Sequence, residues 1–296
     1  MEDKVTLTGC LFLLSAMVFA CWNVRGLNDP LKEGEVRKLI SEHRLSLCGL
    51  IETRVKEINK GSLLMALARE WKALCNYQCA PNGRILLCWN PRELDLVLLG
   101  QSAQVIHCRV SAKSRAWSCI PSFVYGENCH SKRKALWSDF SSFPSLVGDN
   151  PWLVIGDFNA IRWNHERLGR SRDWPDWMGD LDNCVLSAGL FDLRFCGLLF
   201  SWSNRREDDP ILKKLDRALV TCMPFICALV AKMGWRLAAN PDSLWARVIR
   251  GKYFPNGSFW SADLKKGASW LWRSIFEGRN ILLKGMLWVV GNGRVS

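Results

Sequence analysis

Trp152-Leu153-Val154-Ile155-Gly156-Asp157-Phe158-Asn159 is an apolar run that stops at a glycine and delivers an Asp and an Asn two residues apart. A short apolar run closed by a turn residue reads as a buried strand whose end faces a site. With the two-residue side-chain period of a strand, Asp157 and Asn159 point the same way while Phe158 points back into protein. Polar strand ends are also ordinary turn starts, so this stretch alone leaves a chemical and a structural reading open.

Further toward the N-terminus, Leu45 to Ile51 is a second buried-strand candidate, ending in Glu52-Thr53, and Val18 to Trp22 is a first core strand ending at Asn23. Between them, residues 31 to 45 carry helical apolar spacing at Leu31, Val36, Leu39 and Ile40. Parallel strands joined by a helix bring their C-terminal ends to one edge, which predicts Asn23 and Glu52 at the same edge. Residues 60 to 71 make a short amphipathic helix. From Trp71 to Ile120 the pattern changes to alternating β segments: Arg84 to Trp89 after the turn Pro81-Asn82-Gly83, then Leu94 to Leu99, Val105 to Val110 and Ala116 to Ile120. Phe123-Val124-Tyr125-Gly126 ends another strand in a tyrosine, and Lys132 to Phe140 is a charged helix. Beyond the opening stretch, Trp177 to Leu190 reads as a helix, Phe200 to Ser203 as a strand, and Lys214 to Val220 as a strand carrying Asp216.

The 296 residues suit one large domain or one domain with an appendage, and 49% apolar content is ample for a core. The formal charge of +12 is uneven, because residues 225 to 296 hold 11 Lys/Arg against 3 Asp/Glu. Such a tail suits nucleic acid or simply a solvated surface. Its tryptophans, such as Trp235, Trp245, Trp270 and Trp272, read as core rather than as a base-stacking platform. The 13 cysteines are odd in number, sit mostly in apolar runs and form no zinc-ligand spacing, as expected of reduced thiols in an intracellular protein, nuclear or cytoplasmic. Cys10 to Trp22 is uncharged and too short to span a bilayer; the Met-Glu-Asp-Lys before it is not a basic leader, so a signal or anchor is not expected. The expected organisation is an extension over residues 1–16, a main domain over 17–224, and a basic, tryptophan-rich helical region over 225–296.

Five strand ends thus carry polar groups: Asn23, Glu52, Tyr125, Asp157 with Asn159, and Asp216. Carboxylates with amides and a phenol match a hard cation such as Mg²⁺, which takes oxygen ligands and is held by one or two carboxylates beside a phosphate. That chemistry is phosphoester hydrolysis. The motifs Trp22-Asn23-Val24-Arg25-Gly26-Leu27, Ile51-Glu52-Thr53, Val124-Tyr125-Gly126, Gly156-Asp157-Phe158-Asn159, Phe200-Ser201-Trp202-Ser203-Asn204 and Lys214-Leu215-Asp216-Arg217 resemble, in order, those of the endonuclease/exonuclease/phosphatase superfamily. Gly83 to Pro91, Val105 to Cys108 and Leu212 to Leu219 look like the endonuclease domain of plant LINE-type (non-LTR) retrotransposons. Residues 231–296, with Pro241-Asp242-Ser243-Leu244-Trp245-Ala246-Arg247 and Lys252-Tyr253-Phe254-Pro255, resemble the segment after the reverse transcriptase in those elements.

The resemblance implies a four-layer α/β sandwich with a site at one end, no small-molecule cofactor and no membrane. It implies Mg²⁺ or Mn²⁺ on Glu52 with Asn23 beside it, and Asp157 orienting or deprotonating the attacking water. Asn159 and Tyr125 would then contact the scissile phosphate, with Asp216 in the next layer. DNA is the implied partner, with RNA the other polyanion of that kind, and Arg25, Lys132 and Arg133 are candidate phosphate contacts. For Lys132, Arg133 and Lys134 a solvated helix face is the other reading.

One departure stands out. The family's late Ser-Asp-His motif, whose histidine meets the phosphate, is absent from these 296 residues, and His43, His107, His130 and His165 all precede Asp216. His43 falls on a polar helix face, His107 in a β segment, and the other two in charged loops. A deletion that fused the two ends of a longer element accounts for this, and the main domain is then expected to lack its last strand and to leave an edge unpaired. Three outcomes stay open: a metal-dependent endonuclease, an inactive nucleic-acid-binding remnant, and a pseudogene-like product.

Overall fold

The computed structural model describes residues 9–14, 17–114, 117–148, 150–169, 174–193, 199–221, 237–255, 257–263, 272, 275–276 and 279. They fall into two compact units, Met1–Thr221 and Cys222–Ser296.

In the first unit, β1 (Gly9–Leu14), β2 (Met17–Asn23), β3 (Leu45–Ile51), β4 (Lys72–Cys75) and β5 (Ile85–Trp89) build one sheet in the order β1-β2-β3-β5-β4. Then come β6 (Leu94–Gln101), β7 (Val105–Ala112), β8 (Ser118–Tyr125), β9 (Trp152–Asp157), the short β10 (Arg167–Leu168), β11 (Leu190–Asp192), β12 (Trp202–Ser203), β13 (Leu212–Lys213) and β14 (Asp216–Thr221). The second sheet runs β11-β14-β9-β8-β7-β6, and β10-β13-β12 is a small third sheet. The helices are α1 (Pro30–Glu42), α2 (Lys60–Leu67), α3 (His130–Ser142), α4 (Pro144–Val147) and α5 (Asp180–Ser187). Asp29 starts α1 by accepting the Leu31 N–H at 3.0 Å, ahead of a proline at the first helical position.

Side-chain alternation makes the layers. Ala20, Trp22, Cys48 and Leu50 turn outward under α1 and α2, while Ile120, Val124, Trp152 and Val154 turn outward under α3 to α5. The intervening residues, Phe19, Leu47, Phe123 and Ile155, are fully buried between the two sheets. Every residue of β3 is buried, as a strand covered on both faces must be. The Phe123 ring packs directly against Gly49, where an added Cβ would stand 2.2 Å from it. This is the four-layer α/β sandwich expected from the sequence.

Several expectations need correction. Residues 9–14 are not a bare extension: β1 pairs antiparallel along β2, from Gly9 opposite Trp22 to Leu14 opposite Met17, and so covers the side of β2 that would otherwise be an open edge. The strands expected over 116–120 and 123–126 are one strand, β8 (Ser118–Tyr125), running through Pro121; Ala116 lies outside the described residues. The proline is tolerated because the β7–β8 register skips it while Cys108 Sγ donates to its carbonyl. The helix expected over Trp177–Leu190 is a 3₁₀ turn (Asp176–Gly179) followed by α5, and Leu190 already belongs to β11. The cysteines Cys48, Cys75, Cys79, Cys88, Cys108, Cys119, Cys129 and Cys184 are free thiols.

The second unit centres on α6 (Leu244–Tyr253), started by Ser243, whose Oγ accepts the Ala246 N–H at 3.3 Å. Trp272 is buried there, stacked 4.7 Å from Tyr253 and packed with Phe254 and Phe259, so it serves the core as expected. Trp235 and Trp270 lie outside the described residues.

Candidate functional site

Parity and register together bring the predicted residues to one end of the sandwich. In β2 the residues facing the other sheet are Phe19, Cys21 and Asn23; in β9 they are Leu153, Ile155 and Asp157. The last inward residue of each strand is therefore polar, and the two meet: Asn23 Nδ2 donates to Asp157 Oδ2 at 2.9 Å. Parallel pairing sets Asn23 beside Ile51, one residue before Glu52, and Tyr125 beside Asp157. Antiparallel pairing sets Asp216 opposite Asp157 on its other side.

β9 ends at Asp157, so Asn159 does not continue the strand alternation. A left-handed turn (φ 48° at Asn159) brings its N–H onto Asp157 Oδ1 at 2.8 Å, and its Nδ2 donates to Gly126 O at 2.7 Å. Gly156 makes the turn possible, because at φ 143° a Cβ would stand 2.0 Å from Val124 O. Left-handed non-glycine backbone recurs at this end, at Arg25, Glu52 and Arg54 as well. Such strained conformations persist where surrounding structure over-determines them.

Burial raises the carboxyl pKa of Asp157, opposed by the hydrogen bonds from Asn159 and Asn23, with Glu52 adding to the rise and Arg25 opposing it. Burial and then the Asp157 charge push Asp216 up to about 8. Burial, the charges of Glu52 and Asp157, and a hydrogen bond with Glu52 hold the Tyr125 phenol above its usual value. Glu52 itself is paired with Arg54. Among the described residues no group of three or more His, Cys, Asp or Glu side chains is arranged to hold a metal. The oxygen donors at this end belong to Glu52, Asn23, Asp157 and Asp216 at neighbouring strand ends, and the Asp157 and Asp216 carboxyls crowd each other. That set fits a hard cation keeping most of its waters, not one caged by protein alone.

The basic candidates divide. Arg25 is exposed, with its backbone N–H on Asn23 Oδ1 at 3.1 Å, and Lys132 is exposed on α3. Arg133 corrects the expectation of a solvated helix face: it is buried, and its Nη1 donates to the Glu127 and Asn128 carbonyls at 2.6 and 2.9 Å. Asp216 does not pair with Arg217. The two point to opposite faces of β14, and Arg217 instead joins Glu166 and Asp192, with Arg162 and Lys214 at the same acidic pair.

This buried charge cluster escaped sequence reasoning, since its members come from four separate segments. His107 is a core residue, stacked 3.7 Å from Phe143 with Nδ1 at 2.6 Å from Ser122 Oγ, and burial lowers its pKa to about 3. His43 closes α1, and His165 stacks on Trp163. His130 is the first residue of α3 rather than a loop residue; it stacks 4.8 Å from Trp177 in a groove of about 390 Å³ that Asn159 also lines.

Fold and site together define an α/β sandwich protein with an oxygen-rich polar site at the strand ends. The chain belongs to the Endonuclease/Exonuclease/phosphatase family, whose signature matches residues 20–223. Among curated proteins it is similar to an uncharacterized mitochondrial protein of Arabidopsis thaliana, 38% identical over 66 residues, which are 22% of this chain and 43% of that one. A putative ribonuclease H protein of the same plant is 39% identical over 70 residues, 23% of this chain and 11% of that protein. The chain thus spans less than half the length of these relatives. Similar solved structures include the endonuclease domain of TRAS1, a telomere-specific non-LTR retrotransposon (12% identity, TM-score 0.49, 64% of this chain and 78% of that one). Another is D. rerio TDP2 complexed with a single-strand DNA product (11% identity, TM-score 0.48, 70% and 83%). No helix of the described residues is long and apolar enough to cross a membrane.

Proposed function

We propose that the chain is a retrotransposon-derived, divalent-metal-dependent phosphodiesterase of endonuclease type, acting on DNA through a site that has lost its histidine wall. The observation that carries this reading is the Asn23–Asp157 hydrogen bond, which joins the ends of both sheets beside Glu52, Tyr125, Asn159 and Asp216. Glu52 and Asn23 would hold Mg²⁺ or Mn²⁺, which neutralises charge on the phosphate oxygens when bound. Asp157, its orientation set by Asn23 and Asn159, takes the proton of the attacking water. Asn159 and Tyr125 donate to the phosphate, and Asp216 tunes the Asp157 charge from the neighbouring strand. Without a histidine beside this set, cleavage is slower by orders of magnitude than at a complete site, because groups in one catalytic unit act non-additively.

A second reading, an inactive remnant that binds nucleic acid, is favoured by the excess of 11 Lys/Arg over 3 Asp/Glu in residues 225–296. Nicking of supercoiled plasmid by the purified chain in Mg²⁺ or Mn²⁺ separates the two. Metal-dependent nicking that disappears in Glu52→Ala and Asp157→Ala supports the first reading. No nicking, with salt-sensitive DNA binding that weakens when residues 225–296 are deleted, supports the second.

A further inference from the structure

We propose that Arg54 is a built-in placeholder for the cation: it neutralises Glu52 in the metal-free chain and moves to a substrate phosphate when a divalent ion takes its place. The proposal rests on the phosphodiesterase reading above and concerns a residue which that reading leaves unused.

The segment from Glu52 to Val55 has a fixed backbone. Glu52 O accepts from Gly26 N at 2.8 Å, and Thr53 O from Leu27 N at 2.8 Å. Arg54 N donates to Gly83 O at 3.0 Å, and Arg54 O accepts from Asn28 Nδ2 at 3.0 Å. Val55 O accepts from Tyr77 Oη at 2.9 Å, while the buried Thr53 donates its hydroxyl to Gly83 O at 2.6 Å. Both residues flanking Thr53 are held left-handed, Glu52 at φ 57° and Arg54 at φ 54°. For side chains with a Cβ this conformation is strained, and the hydrogen bonds on either side hold it in place.

The side chain of Arg54 is the opposite of its backbone. It is 67% exposed, and it pairs with the carboxylate of Glu52, itself 14% exposed. A guanidinium with a fixed root and a free end can leave its partner without disturbing the turn. With the guanidinium in solvent, the pair is screened on its Arg54 side, so a divalent cation with oxygen ligands competes with it for Glu52. Once released, the planar fork of Arg54 stays tethered at the rim of the site, where a bidentate contact with a phosphate replaces the one it lost. Removing a positive charge from Glu52 and adding one to the phosphodiester couples metal binding to substrate binding through one side chain.

Loss of one positive charge alone would move the two equilibria in opposite directions whether or not Arg54 changes partner, so the deciding readout is duplex affinity with and without the divalent ion: the placeholder contributes to duplex binding only once the ion is bound. The test titrates Mn²⁺ into the full chain and the Arg54→Gln, Arg54→Lys and Glu52→Gln variants by calorimetry. It then measures anisotropy of a short fluorescein-labelled DNA duplex, without divalent ion and at saturating Ca²⁺, over a salt series.

Arg54→Gln is expected to bind Mn²⁺ about two- to fivefold more tightly, because a competitor for Glu52 is gone. With Ca²⁺ it is expected to bind duplex about fivefold more weakly, with the salt dependence reduced by about one phosphate contact, and without the ion to match the parent. Arg54→Lys restores duplex binding. Unchanged or weakened Mn²⁺ affinity in Arg54→Gln overturns the proposal, as does a gain in Mn²⁺ affinity with no loss of duplex binding, or with a loss that is equal with and without the ion. If Glu52→Gln abolishes Mn²⁺ uptake while Arg54→Gln matches the parent in both assays, only the role of Arg54 falls. If the parent chain takes up no Mn²⁺, the phosphodiesterase reading falls with it.

Discussion

Asn23 and Asp157 lie 134 positions apart in sequence and on different sheets, yet the amide of one donates to the carboxylate of the other at 2.9 Å. Both are the last inward-facing residues of buried strands, so their meeting follows from how the two sheets stack. The bond aims one oxygen of Asp157 while the Asn159 N–H holds the other.

Replacing Asn23 with Ala leaves a 7% exposed Asp157 short of a donor. The expected loss is about 1–3 kcal/mol of stability at neutral pH, read from urea denaturation. Because the Asn23 hydrogen bond lowers the Asp157 pKa, its removal also lifts that pKa further. The deficit should therefore narrow as the pH falls; a deficit independent of pH would argue against the charged form being the one that Asn23 supports.

Asp216 sets a pH dependence of its own. Its folded pKa of about 8 lies above the ordinary carboxyl value of 3.8, so the native state binds the extra proton between those values. The contribution is therefore fully present below about pH 4 and is lost as the pH rises through 8. Asp216→Asn should melt higher than the parent near pH 8 and show no such advantage near pH 4, by scanning calorimetry in metal-free buffer. An equal gain at both values would place the effect elsewhere.

Arg217, 0% exposed, pairs with Glu166, 1% exposed, in the cluster with Asp192. Arg217→Met leaves a buried carboxylate without its main partner, at an expected cost of about 3–5 kcal/mol. Adding Glu166→Gln to that variant should recover much of the loss, since the uncompensated charge is then gone. Urea midpoints of the single and double variants check this, and simple additivity would contradict the pairing.

Gly49→Ala should destabilise by about 1–3 kcal/mol through overpacking, because its Cβ would stand 2.2 Å from the Phe123 ring. Trimming that ring in Gly49→Ala/Phe123→Leu should return part of the stability. If the double variant is worse than either single one, overpacking against that ring is not the cause.

Much of the fold was legible along the chain. β3 begins and ends where its apolar run does, Leu45 to Ile51, because a strand buried on both faces needs an unbroken apolar stretch. α1 announced itself through the spacing of Val36 and Leu39. Strand β8 was less legible, since Pro121 reads locally as a break and only its neighbours reveal that no ladder bond is needed there. β1 was hidden for a related reason: an uncharged segment declares apolar character but not its partner.

The sequence by itself determined the polar strand ends Asn23, Glu52, Tyr125, Asp157 and Asp216, their order, and the oxygen-only chemistry they offer, because local patterning dictates where a buried strand stops. Tertiary structure alone decided which of them touch. Register and sheet stacking are non-local, and a one-residue slip would turn Asn23 or Asp157 to the other face. The same distinction explains the arginines. Their charge is plain in the sequence, but only packing sends Arg217 into the core with Glu166, Arg133 onto backbone carbonyls, and Arg54 onto Glu52 at the mouth of the site.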